Sequence, residues 1–423
     1  MAREKQNMNV AFVGHVDHGK STTIGRLMFD SGNVTPQELE KLKAEASKHG
    51  KAGFEFAYVM DRYKEERERG VTIDLAYKKL QTPKRQITII DAPGHKDFVK
   101  NMITGASQAD AAFLTVAAGE GVQPQTIEHL WLLRTMGVRY IAILVNKMDT
   151  VEYKEETYNT VKEQVSKLLK QVGFKPDETN FIAASGFKGD NVYNKSTNMA
   201  WYKGPTVYEQ FDLFKEPGKL SELPLRMPIQ DAYEITGIGT VPVGKIVTGV
   251  MKVGQKVIVL PGRSGKGVLG DVKTIEMHHE QMPEAMAGDN VGISIRGVGK
   301  KDVARGDVIC DATKPASIVK EFIAQVAVIN HPTVIAKGYT PVFHVHTGQV
   351  PCQFAELIEK REGDQIVKNP DFLKNGDVAK VRIVPMGNLV IEKQADNPMM
   401  SGFAIRDAGA TVAAGVCVDL TPK

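Results

Sequence analysis

The chain has 423 residues, more than the roughly 250–300 that one hydrophobic core usually serves, so two or three domains are expected. With 42% hydrophobic and 25% charged residues it is no disordered polymer, and a net charge of +4 argues neither for nor against nucleic acid. Three widely spaced cysteines, Cys310, Cys352 and Cys417, exclude a disulfide framework or a thiolate zinc site and fit a reducing, cytoplasmic setting.

In chain order, "MAREKQNMN" lacks the apolar stretch of a signal peptide, and no later run approaches the roughly 20 apolar residues that cross a bilayer. No membrane association is expected. Residues 9–13, "NVAFV", read as a strand, followed by "GHVDHGKST" and the helical pattern "TTIGRLMF". Gly14 to Ser21 match G-x-x-x-x-G-K-[ST] between a strand and a helix, the setting a phosphate-binding loop requires. Gly14 and Gly19 let the backbone curl its N–H groups inward. Lys20 adds a positive charge over the β- and γ-phosphates, and Ser21 offers a hydroxyl to Mg²⁺. His15 and His18 as metal ligands are the weaker reading, because no third ligand is spaced nearby.

Residues 33–69 interrupt the pattern with a charged insertion. Thr35, Pro36 and Glu38 resemble a capping box with proline at the first helical position, so one or two exposed helices are expected. The insertion closes with "RERGVTID", where Thr72 is placed to complete a Mg²⁺ shell only while a γ-phosphate is present. Residues 33–72 then form a switch.

Strands follow at 87–91, 111–118, 140–146 and 180–185, separated by helical stretches such as "IEHLWLLRTMG" and "YNTVKEQVSKLLKQVG". Continuous apolar strands alternating with helices predict a doubly wound, mostly parallel α/β sheet. "ITIIDAPGHKDF" places Asp91 at a strand end for Mg²⁺ and Gly94 where its N–H meets a γ-phosphate. "ILVNKMD" places Asn146, Lys147 and Asp149 at another strand end. The Asp149 carboxylate matches the two donors of guanine's edge, whereas adenine would leave it unpaired. "ASGFKGD" adds Ser185, Gly186 and Phe187 as a loop touching the base.

Beyond "KEPGKLSELPLRMP", near residue 216, the texture becomes short Val/Ile-rich strands punctuated by glycine, with a second break near 311–321. The expected domains are 1–220, 221–318 and 319–423, one α/β domain and two antiparallel β-barrels. His278–His279 and His344-x-His346 read as structural pairs rather than metal ligands, and the methionines of "NPMMSG" as packing residues.

"GHVDHGKST", "KEERERGVTID", "DAPGHKDFVKNMITGASQAD", "NKMD" and "SGFKGDN" resemble the motifs of translational GTPases, those of the archaeal and eukaryotic elongation factor 1-alpha family, over the whole chain. The resemblance implies a P-loop GTPase domain followed by two β-barrels, with GTP or GDP and Mg²⁺ as cofactors. It implies GTP-dependent delivery of aminoacyl-tRNA to the ribosomal A site, with ribosome-stimulated hydrolysis. The nucleotide would be held by Gly14, His15, Val16, Asp17, His18, Gly19, Lys20, Ser21 and Thr22, with Asp91, Gly94 and the base residues above. Mg²⁺ would be held by Ser21, Thr72 and Asp91.

By the same resemblance His95 orients the attacking water, Val16 and Val71 restrain it beforehand, and Asp17 helps to bind a monovalent cation. Lys100, Asn101 and Arg305 would contact the 5′ end of tRNA, while Glu276, His278 and Asn290 would surround its aminoacylated end. Phe187 departs from the family, where tryptophan is frequent. The other expected partners are the ribosome, a guanine-nucleotide exchange factor, and also release factor and Pelota, with the chain itself a monomer. Two alternatives are a dedicated carrier of release or ribosome-rescue factors, and a metabolic GTPase of the ATP-sulfurylase type. Dedicated carriers usually bring an N-terminal extension, and selenocysteine-specific relatives an extra C-terminal domain.

Overall fold

Six strands form one mixed sheet in the first half of the chain: β1 (Gln6–Gly14), β2 (Ala76–Gln81), β3 (Arg85–Asp91), β4 (Ala111–Ala117), β5 (Tyr140–Asn146) and β6 (Phe181–Ala183). Their order is β2-β3-β1-β4-β5-β6, with β2 antiparallel and the others parallel. The computed structural model describes residues 6–51, 53–60, 64–69, 71–215, 220–237, 239–277, 280–362 and 365–423.

Every residue of β4 is buried, as a strand covered on both faces must be, which is why its sequence is apolar without alternation. β2 escapes the sequence reading because "AYKKLQ" carries two lysines and only partial burial. It is an edge strand, where lysine guards an open ladder.

Eight helices flank the sheet among the described residues: α1 (Lys20–Asp30), α2 (Pro36–Lys48), α3 (Glu55–Tyr58), α4 (Lys64–Arg69), α5 (Val99–Gln108), α6 (Pro124–Thr135), α7 (Glu155–Val172) and α8 (Val207–Leu213). On α7 the buried Tyr158, Val161, Val165, Leu168, Leu169 and Val172 recur at helical spacing, and Gly173 ends it in the left-handed region at φ 91°. Phe12, Phe113 and Phe211 meet in an apolar core shared with Ile24 and Leu27 of α1 and Val207 of α8.

Among the described residues the insertion holds three helices, α2 to α4, rather than the one or two expected. The Thr35 hydroxyl accepts from Glu38 N–H at 3.2 Å while Glu38 accepts from Thr35 N–H at 2.8 Å, so the capping box is present. Nor is the insertion wholly exposed: Phe56, Tyr58, Val59 and Met60 are buried. A Cβ at Gly25 on α1 would collide with the Phe56 carbonyl, so glycine there permits α3 to approach. Short polar spacing hid α3 and α4 from periodicity, which needs longer windows.

The contacts divide the chain into two compact units, Met1–Arg134 with Val138–Glu216, and Thr135–Gly137 with Pro217–Lys423. The second unit contains two closed antiparallel rings of six strands. One runs Lys256–Leu260, Val308–Asp311, Arg226–Ile235, Gly239–Lys245, Asn290–Arg296 and Val268–Met277, the last pairing back to the first. The other runs Val342–Val345, Gly402–Asp407, Ala410–Pro422, Val319–Val328, Val378–Pro385 and Gly348–Glu362, closed likewise. Each ring encloses its own apolar core. Arg226 of the first ring forms an ion pair with Glu392, which follows the Val378–Pro385 strand: Nη2 lies 2.8 Å and Nε 3.1 Å from its two oxygens.

Candidate nucleotide site

The carboxyl ends of β1, β3 and β5 and the loop after β6 converge on one cavity of about 410 Å³. This is where open α/β sheets bind ligands, and the volume suits a small molecule. Val16, Asp17, Gly19, Lys20, Ser21, Thr22, Thr72, Gly94, His95, Asn146, Lys147, Asp149 and Phe187 line it.

The loop leaving β1 is bent as its glycines allow. Gly14 and Gly19 have φ of 139° and 84°, and α1 begins at Lys20. Lys20 Nζ folds back to donate to the carbonyls of His15 at 2.7 Å and Gly14 at 3.0 Å. Burial pulls its pKa down to about 8, although Asp91 and Asp17 oppose the shift. A Cβ at Gly94 would lie 2.8 Å from both Gly14 O and Val16 N, so only glycine lets the strand-end loop come this close.

Asp91 is completely buried and neither carboxylate oxygen has a hydrogen-bond partner among the described residues. Burial pushes its pKa up to about 6, against the pull of Ser21 and Lys20. The Thr72 hydroxyl stands 3.0 Å from that of Ser21. A buried carboxylate near the Ser21 hydroxyl, which itself stands 3.0 Å from that of Thr72, is a set of hard oxygen donors, which fits a Mg²⁺ that keeps waters and phosphate oxygens as its other ligands.

At the end of β5 Asn146 acts as a fastener. Its Nδ2 donates to His18 O at 2.9 Å and lies within 3.3 Å of Thr23 Oγ1, while its Oδ1 accepts from Gly186 N–H at 2.8 Å. Asp149 Oδ1 accepts from Ser185 Oγ at 2.6 Å, which orients the carboxylate. Lys147, in the left-handed region at φ 60°, reaches Glu120 at 3.5 Å. Phe187 lines the cavity and is 44% exposed, with its carbonyl accepting from Arg26 at 3.2 Å.

His95 borders the cavity with Val16 and Val71, and its Nδ1 accepts from Asp97 N–H at 3.3 Å. The two loop histidines behave otherwise. His18 is buried, with Nδ1 accepting from Ala117 N–H at 3.2 Å, and its ring lies 5.1 Å from that of His15. No cluster of three potential metal ligands from His, Cys, Asp or Glu occurs among the described residues.

The residues expected to meet RNA fall on both units. Lys100 is exposed at the start of α5, while Asn101 Nδ2 donates to Ile73 O at 2.9 Å. Glu276 pairs with Gly292 across two strands of the first ring, and Asn290 lies two residues from Gly292 on the same face. Arg305 Nε donates to Thr347 O at 3.2 Å. His278 lies outside the described residues.

Sequence reasoning missed several contributors. Gly53, Phe54 and Ala57 of the insertion also line the cavity. His129 on α6 is buried and accepts from Gly14 N–H at 3.0 Å. No spacing announces it, since the partner is 115 residues away.

A family model described as "Elongation factor Tu GTP binding domain" matches residues 5–249, "Elongation factor Tu domain 2" matches 239–310 and "GTP-eEF1A C-terminal domain-like" matches 321–418. Elongation factor 1-alpha of Methanocaldococcus jannaschii is 56% identical over 430 residues, covering 100% of both chains. That of Archaeoglobus fulgidus is also 56% identical, over 426 residues and 100% of both chains. Among solved structures, the S. cerevisiae Ski7 GTPase-like domain bound to GTP covers 98% of each chain at TM-score 0.77 and 16% identity. Methanococcus maripaludis SelB, with a GTP analogue, covers 99% of this chain and 80% of its own at TM-score 0.67 and 21% identity. Those two likenesses concern the fold.

Proposed function

The chain belongs to the elongation factor 1-alpha family of translational GTPases, and on that premise we propose how its residues divide the work. It is a translation elongation factor, a GTP-binding GTPase that delivers aminoacyl-tRNA. The observation that carries the division of roles is the single cavity in which the phosphate loop, Asp149 and Thr72 meet.

Residues 14–22 cradle the phosphates through loop N–H groups and the Lys20 ammonium. Asp149, oriented by Ser185, accepts the two donors of guanine, while Lys147, Gly186 and Phe187 flank the base. Ser21, Thr72 and Asp91 would hold Mg²⁺, which would supply charge neutralisation at the phosphate oxygens. Thr72 and Gly94 sense the γ-phosphate. His95 orients the water that attacks it, restrained by Val16 and Val71 until the ribosome stimulates hydrolysis. Asp17 assists a monovalent cation.

Lys100, Asn101 and Arg305 meet the 5′ end of the tRNA, and Glu276, His278 and Asn290 its aminoacylated end. We assign the domains as 1–220, 221–318 and 319–423. The protein works as a cytoplasmic monomer on the ribosome, is recharged by an exchange factor, and also serves release factor and Pelota. No helix among the described residues is long and apolar enough to cross a membrane.

The test is the spontaneous hydrolysis of an aminoacyl-tRNA ester in the presence of the purified chain. Protection with a GTP analogue but not with GDP is expected. A metabolic GTPase would protect with neither, and equal protection by both would overturn the switch.

A further inference from the structure

Thr72 sits on a segment with no strand ladder of its own, since β2 begins only at Ala76. Its position is nevertheless defined from two sides at the next residue. Glu66, on α4 of the insertion and only 3% exposed, accepts at Oε1 from Ile73 N–H at 3.0 Å and from Asp74 N–H at 3.2 Å. Asn101, on α5, donates from Nδ2 to the Ile73 carbonyl at 2.9 Å. Both polar ends of Ile73 are therefore gripped by side chains from different elements. One lies upstream of Thr72 and one just beyond the Asp91–His95 stretch. The neighbouring Thr72 hydroxyl stands 3.0 Å from that of Ser21.

We propose that Glu66 and Asn101 are positioning residues, a two-sided clamp on Ile73 that sets the Thr72 hydroxyl for the metal. The inference rests on reading the cavity as a site for Mg²⁺ and a guanine nucleotide. The chemistry favours these residue types. An oxygen of a carboxylate, or of the matching carboxamide, can accept two neighbouring amides at once. A carboxamide can donate to a carbonyl without bringing a charge near the phosphates. Ligating oxygens held by such partners lose metal affinity when the partner goes, typically 10- to 100-fold. The clamp also joins α5 directly to the Thr72 segment, so the two regions that read the γ-phosphate share one hydrogen bond. Asn101 thus acts within the protein, independently of any contact with RNA.

The experiment is a Mg²⁺ titration of nucleotide retention by the full chain without RNA, using a non-hydrolysable GTP analogue and GDP in parallel. Glu66→Ala and Asn101→Ala should each raise the Mg²⁺ concentration for half-maximal retention of the analogue by about 10-fold or more, with the GDP midpoint little moved. Glu66→Gln, which keeps an acceptor for both amides, should return close to the wild-type midpoint.

Equal losses for GDP and the analogue would mark a merely structural role and overturn the clamp, as would unshifted midpoints in both alanine variants. Should those variants fail to fold, amide exchange in the unaltered chain decides. Ile73 and Asp74 should exchange more slowly with the analogue and Mg²⁺ than with GDP, and equal rates overturn the proposal. A wild-type chain that retains nucleotide without regard to Mg²⁺ would instead bring down the reading of the cavity, and the clamp with it.

Discussion

Buried histidines set how the nucleotide-binding unit responds to acid. Burial lowers the pKa of His18 to about 4 and that of His129 to about 3 from an ordinary 6.5. A depressed pKa means that the unfolded chain takes the proton more readily. The stability these groups contribute is complete above pH 6.5 and drains as the pH falls towards their folded values. Asp91 works in the opposite sense, because burial raises it from 3.8 to about 6 and protonation then favours the folded form.

Between pH 6 and 4 two protons therefore favour unfolding and one opposes it. In nucleotide-free protein these three groups together should contribute a slope near one proton, about 1.4 kcal/mol lost per pH unit on acidification, and His346 of the second unit, lowered by burial to about 4, adds to it in the same sense. Denaturant unfolding at several pH values measures it. His129→Gln should flatten that slope, and an unchanged slope would show that His129 does not govern it. Such effects were not legible in the sequence. Motif spacing marks Lys20 and Asp91 as functional, but burial of His129 against Gly14 is created only when α6 folds over the loop.

At the scale of elements, the insertion depends on a close approach rather than on its own helix propensity. α3 is four residues long and α4 six, too short to persist alone in water, so packing must hold them. At Gly25 an added Cβ would run into the Phe56 carbonyl oxygen. Gly25→Ala should displace α3 from α1 and make the chain cleave faster at Phe54 and Phe56 in limited proteolysis, while the central sheet keeps its resistance. Unaltered cleavage would mean that the helices tolerate the added methyl.

The large features of this architecture could be read in advance because they rest on strong local patterns. Unbroken apolar runs gave the central strands, Thr35-Pro36-x-Glu38 a helix start, and glycine-punctuated strands the β-rich half. The rest rested on tertiary partners. β2 is an edge strand with a charged face, α3 and α4 are shorter than any periodicity window, and ring closure depends on long-range pairing that no local pattern reveals.

For the molecule as a whole, RNA binding should carry an electrostatic signature despite the modest net charge. Arg305 belongs to the second unit and Lys100 to the first, so charge on either unit can meet phosphate. Arg305→Ala should weaken aminoacyl-tRNA binding and reduce the slope of log affinity against log salt by about 1. Filter binding across a salt series measures both quantities. A parallel downward shift with an unchanged slope would assign Arg305 to the Thr347 contact instead.

One carboxamide, that of Asn146, laces the loop after β1, at His18, to the loop after β6, at Gly186. Release should accordingly be abrupt: a protein that slackens its hold on the base slackens it on the diphosphate in the same movement, leaving no half-tethered nucleotide. An exchange partner would need to pry at only one end.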